Sequence, residues 1–243
     1  MARHFASLKK RGARPVRTLA SMIIERRTFL ELPLAVAGAW LLGCKRERPL
    51  TFDELAEAMG ALARALREAE PRDEEAYVER VAALAARLGE APAPKFGKLF
   101  KDTVATSLAY RGSWLALVQW RMEPDRRYPA HDHPNYNQVT LGVEGECRLR
   151  HYQIVGAAPP RTSAAPFEVR RTQDNVLRPG GVTSIFTTRR DNIHELETGP
   201  AGARGIDLMT LVGKHEGFSF LDIAREPTPG GVHRATWGEH LSG

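Results

Sequence analysis

From about Ser107 onward the chain is a succession of short alternating or apolar runs, with no helical period between them. "WLALVQWRM" (114–122), "NQVTLGV", "CRLRHYQIV", "FEVRR", "NVLRPGG", "TSIFTT", "NIHELE" and "GIDLMTLV" are separated by Gly, Pro, Asn and Asp. A period of two puts successive side chains on opposite faces of an extended chain. Such a pattern buries one face of a strand and cannot form an amphipathic helix. Many short strands with turn residues and no intervening helices lead to a sandwich or a small barrel. The spacing predicts a hairpin turn at Gly145-Glu146, between "NQVTLGV" and "CRLRHYQIV", and "GAAPPRTSAAP" as a loop.

Ahead of the strands the period changes. Leu55, Met59, Leu62 and Leu66 recur at helical spacing after a Thr51/Glu54 capping-box pattern. Val78, Val81, Leu84, Ala85 and Leu88 do the same before Gly89, and Pro71 separates the two runs. The expected organisation is a helical hairpin over 50–90, a stiff "EAPAPK" connector, a β-barrel over 100–225 and a C-terminal tail over 226–243. The hairpin would either cross one barrel opening or space the barrel from a membrane. Neither an internal repeat nor a low-complexity tract is evident.

The formal net charge of +6 is localised. Residues 1–43 hold eight of the 35 Lys/Arg and two of the 29 acids, leaving 27 of each in the rest of the chain. A neutral body with no basic stripe and no interleaved aromatics argues against nucleic-acid binding. The head has its own logic. Arg26-Arg27 precede an apolar stretch from Phe29 to Gly43, interrupted by Glu31 and Pro33. That is shorter than the roughly 20 residues of a bilayer span. A basic flank and a short apolar run make a secretory signal, and this one resembles a twin-arginine signal ending in a lipoprotein box, "LLGC" (Leu41 to Cys44). The expectation is an exported protein, periplasmic or at the cell surface, touching the membrane only through a lipid on Cys44. Met22 stands just before the signal, which makes residues 1–21 a candidate over-long gene start. With Cys44 lipidated, Cys147 has no disulfide partner; it shares a strand face with Leu149 and reads as a small buried apolar residue.

Of eight histidines, His215, His233 and His240 lie in polar or Gly-rich sequence and are expected to face solvent, and His151 reads as a satisfied inward-facing polar residue. His131 and His133 differ. At i and i+2 of an extended segment bracketed by Pro129 and Pro134, their imidazoles share a face.

The surrounding spacing resembles the first motif of the cupin superfamily: His-x-His, four residues, Gln138, six residues, Gly145. The resemblance implies a double-stranded β-helix covering about 114–211 and a third histidine from a later strand. His194, after the "RPGG" turn (Arg178 to Gly181), is the candidate. Gln138 stands where most cupins place a ligating Glu. The implied site is three neutral imidazoles, His131, His133 and His194, which leave a divalent ion its full charge, keep positions open and favour an anionic ligand. In that respect the chain resembles the thiol dioxygenases, through "HDHP" (His131 to Pro134), "NIH" (Asn192 to His194) and "GIDLMTLV" with Asp207. That resemblance implies Fe(II), with Zn, Mn or Ni as alternatives. It also implies O2 and a small thiol or cysteinyl peptide as substrates, converted to a sulfinic acid. Asp207 would fix a pocket partner, and Tyr136 and Gln138 would orient ligands by hydrogen bonding. Two other readings stay open: a non-catalytic metal- or ligand-binding lipoprotein, and a different cupin enzyme (isomerase, hydrolase or ring-cleaving dioxygenase).

Overall fold

The structure is a computed structural model that describes residues 48–214 and 217–241; the leader expected over 1–44, Cys44 included, and His215 lie outside the described residues. Among the described residues no helix is long and apolar enough to cross a membrane. Within the described residues, two helices come first, α1 (Phe52–Glu68) and α2 (Glu74–Ala85). Nine strands follow: β1 (Val104–Arg111), β2 (Leu115–Met122), β3 (Arg127–Asp132), β4 (Tyr136–Val155), β5 (Phe167–Leu177), β6 (Val182–Phe186), β7 (Ile193–Leu211), β8 (Phe218–Ile223) and β9 (His233–Leu241).

The helices begin where the sequence says they should. Thr51 accepts from the Glu54 backbone, and the Glu54 carboxylate accepts from the Thr51 N–H at 2.9 Å. Asp73 caps α2 through the Ala76 N–H at 3.0 Å. Such caps satisfy N–H groups that have no intrahelical partner. The apolar stripes, Leu55, Met59 and Leu66 on α1 and Tyr77, Val78 and Val81 on α2, pack on Leu115, Leu117, Val139, Leu141, Ile206 and Leu208. Those six lie on β2, β4 and β7, on the face opposite Val118, Gln138 and Asp207. The hairpin therefore neither plugs an opening nor acts as a spacer: it covers the outer wall of one sheet. Each large side chain buried there contributes roughly 2 kcal/mol.

Two long strands organise the rest. β4 and β7 pair antiparallel along nearly their whole length, from Tyr136↔Leu211 to Tyr152↔Ile193. The turn expected at Gly145-Glu146 is instead a bend within the continuous β4, and "NIHELE" and "GIDLMTLV" are two halves of β7. The registers shift between Gly142 and Glu144 and between Gly145 and Cys147. Gly145 adopts φ +64°, and a Cβ there would lie 2.1 Å from the Gly202 carbonyl oxygen. A bulge with a left-handed glycine sharpens the twist and turns both strands a corner without breaking the ladder.

One half of each long strand joins β2 and β6 in a first sheet; the other half joins β3 and β5 in a second. Two facing sheets sharing their long strands are a double-stranded β-helix, so the mainly β, cupin-type barrel preceded by a helical hairpin holds. Cys147 is buried inside it, with burial pushing the thiol pKa up to about 12.

The C-terminal residues depart from expectation. Residues 233–241 are no tail: β9 pairs with β8 and with β5. Since β8 meets β3, and β4 pairs with β7, the strands β7-β3-β8-β9-β5-β4 close into a ring. A separate apolar cluster, including Ala130, Tyr152, Val169, Ile193, Leu221 and Ala235, draws on all six of these strands.

Candidate metal centre

His131 and His194 face each other across the β3–β7 ladder, and His151 on β4 is the next cross-strand neighbour of His194. His133 follows the end of β3, its backbone N–H held by the Asn192 carbonyl at 2.9 Å. Register therefore brings together what sequence separates. The Nε2 of His194 lies 3.1 Å from Nε2 of His131 and 3.3 Å from Nε2 of His133. All three rings offer a ligand atom within 4.8 Å of one another. Nitrogens bound to one ion at about 2.1 Å stand roughly 3.0–3.4 Å apart, according to geometry, so the spacing suits a shared divalent cation.

The local chemistry favours neutral ligands. Burial lowers the pKa of His131 to about 4, against a Pro129 hydrogen bond that raises it, and lowers those of His133 and His194 well below the usual imidazole range. His131 Nδ1–H donates to the Pro129 carbonyl at 2.9 Å, leaving the Nε2 lone pair for the centre. Aromatic rings enclose the cluster: Tyr128 lies 4.8 Å from His131, Phe186 5.3 Å from His133, and Phe218 5.6 Å from His131.

The three imidazoles line a cavity of about 160 Å³ together with Gln138 and Asp207. Gln138 is buried; its Nε2 donates to Thr140 Oγ1 at 3.3 Å, and its Oε1 is buried without a partner. An unmet buried acceptor is costly, so this oxygen awaits a donor or a cation. Asp207 accepts from Thr140 Oγ1 at 2.7 Å and from Trp120 Nε1 at 3.1 Å. Burial pushes its pKa up to about 6, against the pull of those two bonds. Gly205 makes room for the indole, since a Cβ there would strike Trp120 at 2.4 Å.

The predicted residues thus divide. His131, His133, His194, Gln138 and Asp207 share the cavity. Tyr136 lies with its ring 6.3 Å from that of His133, half-buried, and does not line it. Sequence reasoning missed Trp120 and Thr140, the two donors to Asp207; their strand alternation with Val118 and Gln138 was the available signal. It also misplaced His233, which is buried and donates from Nδ1 to the Ala224 carbonyl at 2.8 Å, because β9 was not foreseen. His151 is buried as expected but only half satisfied. Its Nδ1–H donates to the Asp191 carbonyl at 2.8 Å, and its Nε2 has no partner.

Fold and site together define a class: a cupin-fold barrel with a three-histidine group suited to a metal ion. No protein-family profile matches the chain, and no curated protein matches it. Solved structures with similar folds include KdgF from Halomonas sp., at 13% identity and a TM-score of 0.35, over 48% of this chain and 87% of that one. The cupin domain of Cnp3 from Schizosaccharomyces pombe matches at 11% identity and a TM-score of 0.35, over 49% and 70%. A recombinant oxalate oxidase in complex with glycolate matches at 17% identity and a TM-score of 0.37, over 52% and 59%.

Proposed function

We propose that this chain is an iron(II)-dependent cupin oxygenase that adds both atoms of O2 to a small thiol or cysteinyl compound, giving a sulfinic acid. The observation that carries the reading is the convergence of three neutral Nε2 atoms on one small cavity that Gln138 and Asp207 also line. Iron(II) held by His131, His133 and His194 would supply electrons for O2 and a positive charge that no carboxylate among those three ligands offsets, which would favour a thiolate.

The protein's own part is positioning and exclusion of water. The Pro129 carbonyl holds the His131 ring in one tautomer. Tyr128, Phe186 and Phe218 keep the surroundings apolar. Asp207, anchored by Trp120 and Thr140, becomes ionised above about pH 6 and offers the amino group of an aminothiol a charged acceptor. The small cavity volume suits a substrate of few atoms, or the tip of a cysteinyl peptide.

Protein purified without added metal, analysed for metal content and then for O2 uptake with small thiols and N-terminal cysteinyl peptides, tests this. Iron together with a product heavier by two oxygen atoms supports it. Zinc, with no oxygen uptake after iron loading, overturns it.

A second reading draws on the orphaned Gln138 Oε1, which lines the same cavity. As a fourth, weak oxygen ligand it fits Zn, Mn or Ni and a different cupin reaction, or metal binding without catalysis. A Gln138→Ala variant that loses metal affinity favours this alternative.

We further propose that the protein is exported and anchored by a lipid on Cys44, on the strength of Arg26-Arg27, the Phe29–Gly43 run and the "LLGC" box. Mass spectrometry of the membrane fraction tests it: a mature chain beginning at a lipidated Cys44 supports the anchor, and a chain retaining Met1 refutes it.

A further inference from the structure

On the opposite face of β4 and β7 from the histidines lies a second depression, of about 390 Å³, whose chemistry is unlike the first. Arg127, Arg148, Arg150, Arg171 and Arg225 line it, against two carboxylates, Glu195 and Glu197. These guanidiniums come from β3, β4, β5 and the segment after β8, which only the closure of the six-stranded ring brings to one place.

The carboxylates do not balance the arginines. Glu195, buried, accepts from Arg127, from Arg150 at 2.9 Å and from the Tyr152 hydroxyl at 3.0 Å. Glu197 pairs with Arg150 at 2.8 Å. Asp174, beside the depression, pairs with Arg148 at 2.6 Å and Arg171 at 3.4 Å. Five guanidiniums against three carboxylates leave two positive charges in surplus. Arg225 has no ion-pair partner among the described residues, and Arg148 and Arg171 remain about half exposed. An ion-pair network serving stability alone has no use for that surplus. Several planar donor forks converging from different strands on one concave surface are how proteins hold phosphate oxyanions.

We propose that this depression binds a small phosphate-bearing molecule, its dianion held by Arg171 and Arg225, the two guanidiniums that the three carboxylates engage least. The charge of a phosphate monoester matches the surplus of two. The space exceeds what a phosphate group fills, and the rings of Tyr152 and His233, 5.9 Å apart, line it with surface for an organic portion.

Titration calorimetry at constant ionic strength tests the site, with inorganic phosphate, glycerol 3-phosphate and uncharged glycerol as probes. Saturable binding of the phosphate compounds, with none of glycerol, is the expected result. Tighter binding of the ester identifies an esterified ligand, and equal binding identifies free phosphate. The exposed Arg225→Glu and the Arg171→Ala variants should each weaken phosphate binding about tenfold or more. Their circular dichroism and their metal content at the three histidines should match wild type, which separates a lost site from a lost fold. No saturable binding, or unchanged affinity in both variants, overturns the proposal.

Discussion

His194 and Glu195 are consecutive residues on β7, and they serve two opposite faces of one sheet. On the His194 side, three imidazoles stripped of charge by burial meet an amide oxygen with no donor. On the Glu195 side, a buried carboxylate is saturated: burial raises its pKa, but Arg127 and Arg150 outweigh that and hold it below the usual range. One face gathers neutral nitrogens around a cavity and leaves the Gln138 oxygen unmet, the condition for taking a cation. The other meets its buried charge completely, so that Glu195 belongs to the framework and only the arginines around it are left to interact. Burial alone does not distinguish a ligand site from a structural network; the distinction is whether the buried polar atoms already have partners.

The comparison breaks most visibly at its two central residues. His194→Ala should lower metal affinity by at least roughly 100-fold while leaving the apo protein folded, checked by metal analysis alongside circular dichroism. Full metal occupancy in that variant would remove the basis for calling the histidine face a metal site. Glu195→Ala should do the converse. It removes the buried acceptor of Arg127, Arg150 and the Tyr152 hydroxyl, although Arg150 keeps Glu197 and Arg127 reaches solvent, and should cost about 2–3 kcal/mol in urea unfolding, while the folded fraction still binds metal.

Smaller effects sharpen the contrast. Asp207 carries a folded-state pKa of about 6 against an ordinary value of 3.8. The unfolded chain gives up this proton first, so this group's stabilisation is complete below about pH 4 and is lost as pH rises through 6. Asp207→Asn should therefore unfold at higher urea than wild type at pH 8, by about 2 kcal/mol, and show little difference near pH 4. A variant less stable than wild type at pH 8 contradicts the assigned direction. The smallest effect belongs to the wall behind the site. Tyr77 on α2 is hydrogen-bonded to Thr210 on β7, and burial raises its pKa to about 12. Tyr77→Phe should cost about 1 kcal/mol and leave metal binding intact.

Much of this was readable in advance. The helical hairpin followed from apolar spacing and caps, both local properties. The mainly β body followed from alternation, and His131 and His133 from two residues of separation on an extended segment. His194 required the resemblance to a known motif, because sixty intervening residues carry no local record of a cross-strand pairing. The errors have a common origin. Gly145-Glu146 was read as a hairpin turn because a glycine with positive φ serves a bend as well as it serves a turn. Residues 226–243 were read as a tail, and His233 as solvent-facing, because β9 is polar along much of its length and its inward face is set by its pairing with β8 and with the distant β5. Trp120 and Thr140 went unnoticed beside Asp207 because each lies on a strand of ordinary composition.

The amino-acid order by itself determined the periods, the caps and the identity of the donor atoms, since these depend on neighbours a few residues apart. It also determined that position 138 offers an amide, which carries no charge to offset a cation's. Which atoms meet was decided only by the tertiary structure. The bends in β4 and β7, the β3–β7 register and the closure through β8 and β9 bring His194 to His131 and five arginines to one hollow. Those contacts are set by ladder register and sheet closure, where a slip of one residue would exchange the two faces.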